Sequence, residues 1–428
     1  MQPLSARHLI FVMGHVTVGK LCTIPALDSV VRFFQTPAWM RIAMLLHKSS
    51  EFDSRVTREA SALADDGHEL FVLELTDVPG GRSALDGFVR LSCLPPPWVR
   101  RRLPALVYRV LMLLYFVRGI VRVRPQVVHA HDAAMLLPGA LGAWITGAEL
   151  VYDSHELATG VPYRERVWAW FVGAIERVII PRCAGVITVS EGIAQRLAER
   201  YRLAVTPTVV RNVSALAVRG EGGLRRRLNL GAEVPLVLHQ GAPAPDRGCE
   251  VLLDAVSRLE GVRLVFLGDP EPGYGEQLAV EVARRGLADR VALLPSVPLD
   301  ELLAYTAEAN VGVTLLRDNC ENHRLALPNK LFEYIAAGIP VIASALPETQ
   351  KLVEAYGVGW CVPPQEPARL ATAIGEALAA RGDPALGGRL RLAARELRWS
   401  RERGRLLELY EGLAGGVRRG VRRARVPA

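Results

Sequence analysis

Residues 311–344 constrain the fold of this chain more than any other stretch. An apolar strand, Val311 to Leu316, runs into a polar loop. The loop feeds a short helix within Leu327-Pro-Asn-Lys-Leu-Phe-Glu333-Tyr-Ile-Ala-Ala-Gly338, and a second strand, Val341 to Ala343, follows Pro340. Gly338 supplies the helix stop. Strand, helix and strand in so short a span form a βαβ unit, which belongs to a parallel sheet. In an open α/β sheet the loop entering such a helix is where phosphates bind, because unpaired backbone N–H groups and the helix dipole converge there. Glu333, one turn into the helix, is placed to accept hydrogen bonds from a ribose diol, and Lys330 to neutralise a diphosphate. An ordinary crossover with a solvated Glu and Lys fits the same letters.

The rest of the chain agrees with an α/β reading. Its 428 residues suit two domains of ordinary size. The net charge is +8 and the pI about 9.4. Only Lys20, Lys48, Lys330 and Lys351 are lysines, so a lysine inside the motif stands out. A basic surplus suits nucleotide diphosphates or anionic lipid. Nucleic acid is the weakest partner class, since no basic amphipathic or aromatic RNA-binding module is evident. The six cysteines are scattered without a C-x-x-C pair, which reads as reduced thiols in a cytoplasm rather than a disulfide framework or zinc site. No cofactor is implied.

Near the N-terminus, Gly14-His-Val-Thr-Val-Gly19-Lys20-Leu21 follows a phosphate-binding P-loop until Leu21 replaces the hydroxyl residue that holds Mg²⁺. Pro25 would end the helix almost at once. The apolar run breaks at Gly14 and His15 with no small-residue cleavage site after it, a poor signal peptide. Residues 1–38 therefore read as an extension expected to be partly disordered.

The first domain opens with a strand, Ile42 to Leu46, then Asp53 as the cap of a helix to about Ala64, then a strand from Glu69 to Leu75. On this reading Asp53 is an N-cap and Arg55 a first-turn residue facing solvent. The strand Gln126 to Val128 ends in His129-Ala-His131-Asp132, and the strand Leu150 to Tyr152 ends in Asp153-Ser-His155-Glu156. Titratable groups clustered at strand C-termini mark a functional edge. His129, alternating with His131, is expected to point into the sheet as a satisfied core imidazole. The helix Glu165 to Arg182 carries Trp168, Trp170 and Phe171, read as packing. Between Trp98 and Arg124 an apolar run with arginine ends is far shorter than the roughly 20 residues of a membrane span. It reads as a crossover helix with exposed arginine ends. The second domain follows a Gly- and Arg-rich stretch (Arg219 to Arg227). There Gln240-Gly241 and Arg247-Gly248, at a strand end and a helix start, form a second phosphate cradle.

"LPNKLFEYIAAGIPVIAS" resembles the donor-site signature of the family 4 (group 1) retaining glycosyltransferases of the GT-B fold, in the branch reading PNK-x-F-E-Y. Where the family has an earlier Glu, this chain has Leu325, and Glu321 or His323 would have to replace it. "VVHAHD" and "VYDSHEL" resemble its motifs flanking the cleft, "ITVSE" its strand and helix cap, and "WSRERGRLLELYEGL" its closing helix. The resemblance implies two Rossmann-like domains with parallel sheets facing a central cleft. It implies an N-terminal extension at 1–38, an acceptor-side domain at 39–212 and a nucleotide-sugar domain at 213–395. A closing helix at 396–414 and a basic tail at 415–428 complete it. It implies His131 beside the transferred sugar, donor contacts from Gly241, Arg247, Asn329, Lys330 and Glu333, and Asp53, Arg55, His155 and Glu156 on the acceptor side. The strand Arg263 to Gly268 and the turn Pro295-Ser296-Val297 lie where relatives enclose the base. No D-x-D occurs, so metal independence is the expectation. The implied function is retaining transfer from a nucleotide diphosphate-sugar to a lipid-linked or glycan acceptor in polysaccharide assembly. The expected place is the cytoplasm, with peripheral contact at an anionic inner membrane face through Arg100, Arg101, Arg102 and the C-terminal arginines. A nucleotide-sugar epimerase of the same fold and a non-catalytic assembly scaffold are the alternatives.

Overall fold

The computed structural model describes residues 39–424, apart from 49–52, 76–82, 86–87, 94–103, 162–165, 216–217, 219 and 221. The extension at 1–38 with its P-loop-like run, and Arg100, Arg101 and Arg102, lie outside the described residues.

The first domain is built on β1 (Arg41–Leu46), β2 (Glu69–Leu75), β3 (Ser83–Leu85), β4 (Phe88–Cys93), β5 (Val127–His131), β6 (Glu149–Ser154), β7 (Gly185–Thr188) and β8 (Thr208–Val209). Their order is β3-β4-β2-β1-β5-β6-β7-β8. All pairings are parallel except that β3 runs antiparallel to β4. Helix α1 (Ser54–Asp65) carries the chain from β1 to β2. Helices α2 (Ala105–Val123), α3 (Asp132–Thr146), α4 (Arg166–Ile179) and α5 (Glu191–Tyr201) step the other way along the sheet. Right-handed crossovers therefore put α1 on one face and α2 to α5 on the other.

Alternation along β1 supplies both cores. Ala43 and Leu45 join Phe116, Ile120, Leu136 and Ile193 on one face. Ile42, Met44 and Leu46 join Val56 and Leu63 on the other. A strand buried on both sides has no polar face, which is why β1 reads as an unbroken apolar run. Each fully buried Leu or Ile there contributes about 1.5–3 kcal/mol.

The second sheet holds β9 (Leu236–Gln240), β10 (Arg263–Leu267), β11 (Val291–Leu294), β12 (Val311–Thr314), β13 (Val341–Ser344) and β14 (Gly359–Val362), ordered β11-β10-β9-β12-β13-β14. Every pairing is parallel. The order reverses at β9/β12, as it does at β1/β5 in the first sheet, so each domain opens a ligand crevice at that switch point. Around the second crevice lie α6 (Cys249–Val256), α7 (Glu321–Leu325) and α8 (Asn329–Ala336).

The last helix, α9 (Trp399–Ala424), returns to the first domain, where Leu406, Tyr410 and Leu413 enter the β1/α1 core. Residues 415–424, expected as a tail, continue this helix. The side chains of its terminal arginines lie outside the described residues.

Candidate functional site: a buried charge cluster facing a cationic cradle

At the C-terminal end of β5 and β6 the first domain concentrates its charges. His129 and His131 are strand residues rather than loop residues. Being two apart, they share a sheet face, so the expected opposition between them is wrong. Their rings stack with centroids 4.2 Å apart. His131 Nδ1 lies 3.3 Å from Asp153 Oδ2 and 3.1 Å from His155 Nε2. His155 in turn lies 3.2 Å from Asp153 Oδ2 and 3.5 Å from Asp132 Oδ2. Burial holds His131 below the ordinary imidazole range, so it is neutral. Burial opposes charge on His155 too, but Asp153 and Asp132 carry it up to about 9. Burial also works against Asp153, yet Arg55 and His155 hold its carboxyl well below the usual range.

Arg55 does not face solvent: it is 3% exposed. Its Nε and Nη2 donate to the two Asp153 oxygens at 2.8 and 2.9 Å, and Nη1 donates to Val210 O at 2.6 Å. A bidentate guanidinium on a buried carboxylate organises the cluster from beneath. Arg55 also reaches Glu59 Oε1 at 3.1 Å. Burial pushes the Glu59 carboxyl up, towards its neutral form. Asp53 caps α1, accepting from Arg55 N and Val56 N at 3.1 and 3.2 Å, and pairs with Lys48 at 3.0 Å. Burial opposes ionisation of Asp53, but His155 and Lys48 bring its pKa to about 2.

Glu59, His129, His131 and Asp153 offer ligand atoms within 4.8 Å of one another, close enough for one metal ion. The residues fit such an ion poorly, because Arg55 already pairs with both carboxylates and a divalent cation would be set against it. Tyr410 of α9 meets His129 Nδ1 at 2.8 Å, tying the closing helix to the stacked rings.

The second domain presents the opposite charge pattern. Gly241 has φ 86° and Gly248 φ 64°, and a Cβ at Gly248 would fall 2.6 Å from Leu315 Cβ. Only glycine satisfies both the conformation and the space at Gly248. The turn they bound brings Arg247 to the start of α6. Lys330 is buried, 3.3 Å from His239 Nε2, and burial together with Arg247 pushes it down to about 7. Burial raises Glu333, which accepts from the Gln240 amide. Asn329, exposed, opens α8 after Pro328 at the cap position. Tyr334 holds this arrangement: its hydroxyl accepts from Gln240 N at 2.9 Å and lies 3.2 Å from Val313 O. A Cβ at Gly312 would fall 2.3 Å from the Tyr334 ring, so the glycine makes room for it. Beside the cradle, Phe266, Gly268, Asp269, Pro270, Leu294 and Pro295 line a cavity of about 180 Å³.

The two halves are clasped next to the site. Asn322 Oδ1 accepts from Leu157 N at 2.8 Å, and its Nδ2 donates to Glu156 Oε2 at 3.3 Å. Ser190 Oγ donates to Leu325 O at 2.6 Å. Glu321 pairs with Arg196 and Arg200 at 2.5 and 2.9 Å, so it is engaged by the first domain rather than standing in for the carboxylate missing at Leu325. His323 Nδ1 meets Arg317 O at 2.9 Å. Arg58 of α1 lies within electrostatic reach of Glu333, an approach of the two domains that sequence reasoning missed.

Two Rossmann-like domains with their switch points turned to one cleft define the GT-B fold. Residues 54–213 match the family model described as Glycosyltransferase Family 4, and residues 234–380 the one described as Glycosyl transferases group 1. The chain belongs to the group 1 glycosyltransferases. It is 30% identical over 291 residues to the D-inositol 3-phosphate glycosyltransferase of Acidothermus cellulolyticus, covering 62% of this chain and 61% of that one. Two further proteins of that description are covered over 35% and 44% of their length, so the chain spans less than two thirds of the curated relatives it matches. Among solved structures, sucrose-phosphate synthase from Thermosynechococcus elongatus superposes with a TM-score of 0.71 at 20% identity, covering 88% of this chain and 99% of that one. Anabaena HepE in complex with UDP-glucose superposes with a TM-score of 0.66 at 17% identity, covering 86% and 98%. These two structural likenesses show the fold.

Proposed function

We propose that the chain transfers a sugar, with retention and without a metal, from a nucleoside diphosphate-sugar to a lipid-linked or glycan acceptor. The observation that carries this reading is the cradle of Gly241, Arg247, Lys330 and Glu333: a buried lysine and a half-buried arginine share a site with one carboxylate that is itself pushed towards neutrality by burial. A diphosphate would supply the absent negative charge, and the ribose diol would donate to Glu333. The cavity beside Phe266 and Pro295 is sized for a base rather than for a whole nucleotide. HepE, of the same fold, binds UDP and UDP-glucose, which makes UDP-sugars the first donors to try.

In this reading Arg247, Lys330 and the α8 amide groups stabilise the diphosphate as it departs with growing negative charge. His131, neutral and backed by Asp153, hydrogen-bonds the sugar or its leaving oxygen. Asp53, His155 and Glu156 border the acceptor side, and Arg55 acts through Asp153 as a positioning residue. Retention is assigned to same-face attack, so no enzymic nucleophile is named.

Thermal unfolding with UDP-, GDP- and dTDP-sugars tests the donor half. One donor at 100 times its dissociation constant should stabilise by about 2.7 kcal/mol. Product analysis with glycan and lipid-linked acceptors tests the rest. Conversion of the sugar nucleotide without acceptor would make the protein an epimerase. Binding without turnover on every acceptor would make it a scaffold, the reading that Leu325 in place of a carboxylate favours.

A further inference from the structure

The outer surface of the first domain's larger helical layer takes no part in the cleft, and its composition is unusual. Helices α2, α3 and α4 pack side by side, α2 on α3 and α3 on α4. Their inner stripes fill the core with Phe116, Ile120, Leu136 and Val172. Their outer stripes are apolar as well. Trp144 is 81% exposed, Trp170 73% and Leu106 71%, with Leu111, Leu114 and Ile145 also exposed. Trp170, expected as packing, is therefore a surface residue. Most of the exposed large apolar side chains among the described residues lie on these three helices. Single exposed apolar side chains are ordinary, but a contiguous patch of them marks an interaction surface.

Among the described residues the exposed charges on the same helices are of one sign. Arg118, Arg122 and Arg177 are exposed. The two acids are engaged elsewhere: Asp132 faces His47 and His155, and buried Glu176 accepts from Tyr152 and Tyr201. We propose that this face docks on an anionic lipid surface, with Trp144, Trp170 and Leu111 at the headgroup–acyl boundary and the arginines against lipid phosphates. Tryptophan favours that boundary, and a basic, apolar helical face lies in its plane. A second copy of the chain fits worse, since a two-fold contact through this face would set arginine against arginine. Among the described residues no helix is long and apolar enough to cross a membrane, so the contact is peripheral. The three helices begin at the sheet edge that carries His131 and Asp153. The lipid plane would then lie beside the cleft, a link that rests on the proposed lipid-linked acceptor.

Flotation of the full chain with phosphatidylcholine vesicles, with and without about one third phosphatidylglycerol, tests the proposal. The comparison is a Trp144→Ser/Trp170→Ser/Leu111→Ser variant, whose thermal unfolding should be unchanged because all three side chains are exposed. The expected result is binding to anionic vesicles that weakens about tenfold or more in the variant. A blue shift of tryptophan emission on binding should shrink with it. Wild-type protein that ignores anionic vesicles would overturn the proposal. So would binding that the variant retains and that about 0.5 M salt abolishes, which would assign attachment to basic segments elsewhere. So would self-association that the variant loses in the absence of any vesicle binding. UDP affinity measured in the same preparations separates the two readings. Normal UDP binding without vesicle binding removes only the docking surface, whereas vesicle binding without UDP binding leaves the surface and removes the transfer reading.

Discussion

The two charged regions that meet at the cleft are built on opposite principles. Around Asp153 every charge has a partner: Arg55 grips both carboxylate oxygens, His155 bridges Asp153 and Asp132, and His131 stays neutral. Around Lys330 the charges do not balance, and burial and Arg247 work together against its ionisation. The first region balances its charges before any ligand arrives and leaves the Nε2 atoms of His129 and His131 and the Glu59 oxygens without hydrogen bonds, whereas the second balances its charges when an anion binds. A buried ion network of the first kind fixes geometry, and its members cannot be removed singly without leaving a bare charge. A cradle of the second kind stores repulsion that binding relieves, so its members can be removed at little cost to folding.

The sharpest way to break that contrast is Arg55→Ala. It should leave Asp153 buried and uncompensated, costing about 3–5 kcal/mol in denaturant unfolding. Unchanged stability would mean the cluster is solvated and the contrast mistaken. Lys330→Ala should fold at least as well as wild type, yet bind a nucleoside diphosphate some ten- to a hundredfold more weakly, corresponding to about 1.5–3 kcal/mol for charge-assisted hydrogen bonds. The bare nucleoside should lose far less. Equal losses for the two ligands in titration calorimetry would reassign Lys330 to structure.

The sequence revealed the cradle more fully than the cluster, and the reason is physical. The cradle is local: Lys330 and Glu333 stand on one turn of helix, and Gly241 and Gly248 bound one turn of chain, so spacing alone exposes them. The parallel strands were legible for the same reason, as short unbroken apolar runs between turn residues. The cluster is assembled across the chain. Arg55 looks like an exposed first-turn residue until the fold brings Asp153, 98 positions away, against it. Glu59 shows nothing in sequence, since a Glu in an amphipathic helix ordinarily faces water. His129 and His131 could have been placed together from the two-residue period of a strand, had the strand been extended to its end. The clasp made by Asn322 depends on a partner 165 positions distant and has no local signature.

A pH titration sharpens the comparison further. In the free protein Lys330 titrates near 7, lowered by burial and Arg247. A bound diphosphate favours the charged amine, so binding raises that pKa. Below about 7 the amine is already protonated and affinity is at its full value. Above it, binding must take up a proton, and affinity should fall by up to about tenfold per pH unit until the bound-state pKa is reached. Calorimetry in buffers of different ionisation enthalpy should register proton uptake at pH 8 and much less at pH 6. Uptake that Lys330→Ala leaves intact would place the titrating group elsewhere.

The smallest effect expected lies where the balanced cluster meets the closing helix. Tyr410 is fully buried and its hydroxyl meets His129 Nδ1 at 2.8 Å, while the His129 ring stacks on His131. Burial keeps His129 well below its ordinary pKa, so its ring is neutral and Nδ1 either accepts from the tyrosine or donates to it. Tyr410→Phe keeps the packing of the ring against the β1 core and removes only the hydroxyl. Unfolding free energy should drop by about 0.5–1.5 kcal/mol, the net value of one buried hydrogen bond. Because His129 stacks on the imidazole proposed to act on the sugar, turnover should fall with little change in UDP affinity. A variant that loses nucleotide affinity instead would mean that α9 reports on the cradle, and that the two regions are coupled rather than independently built.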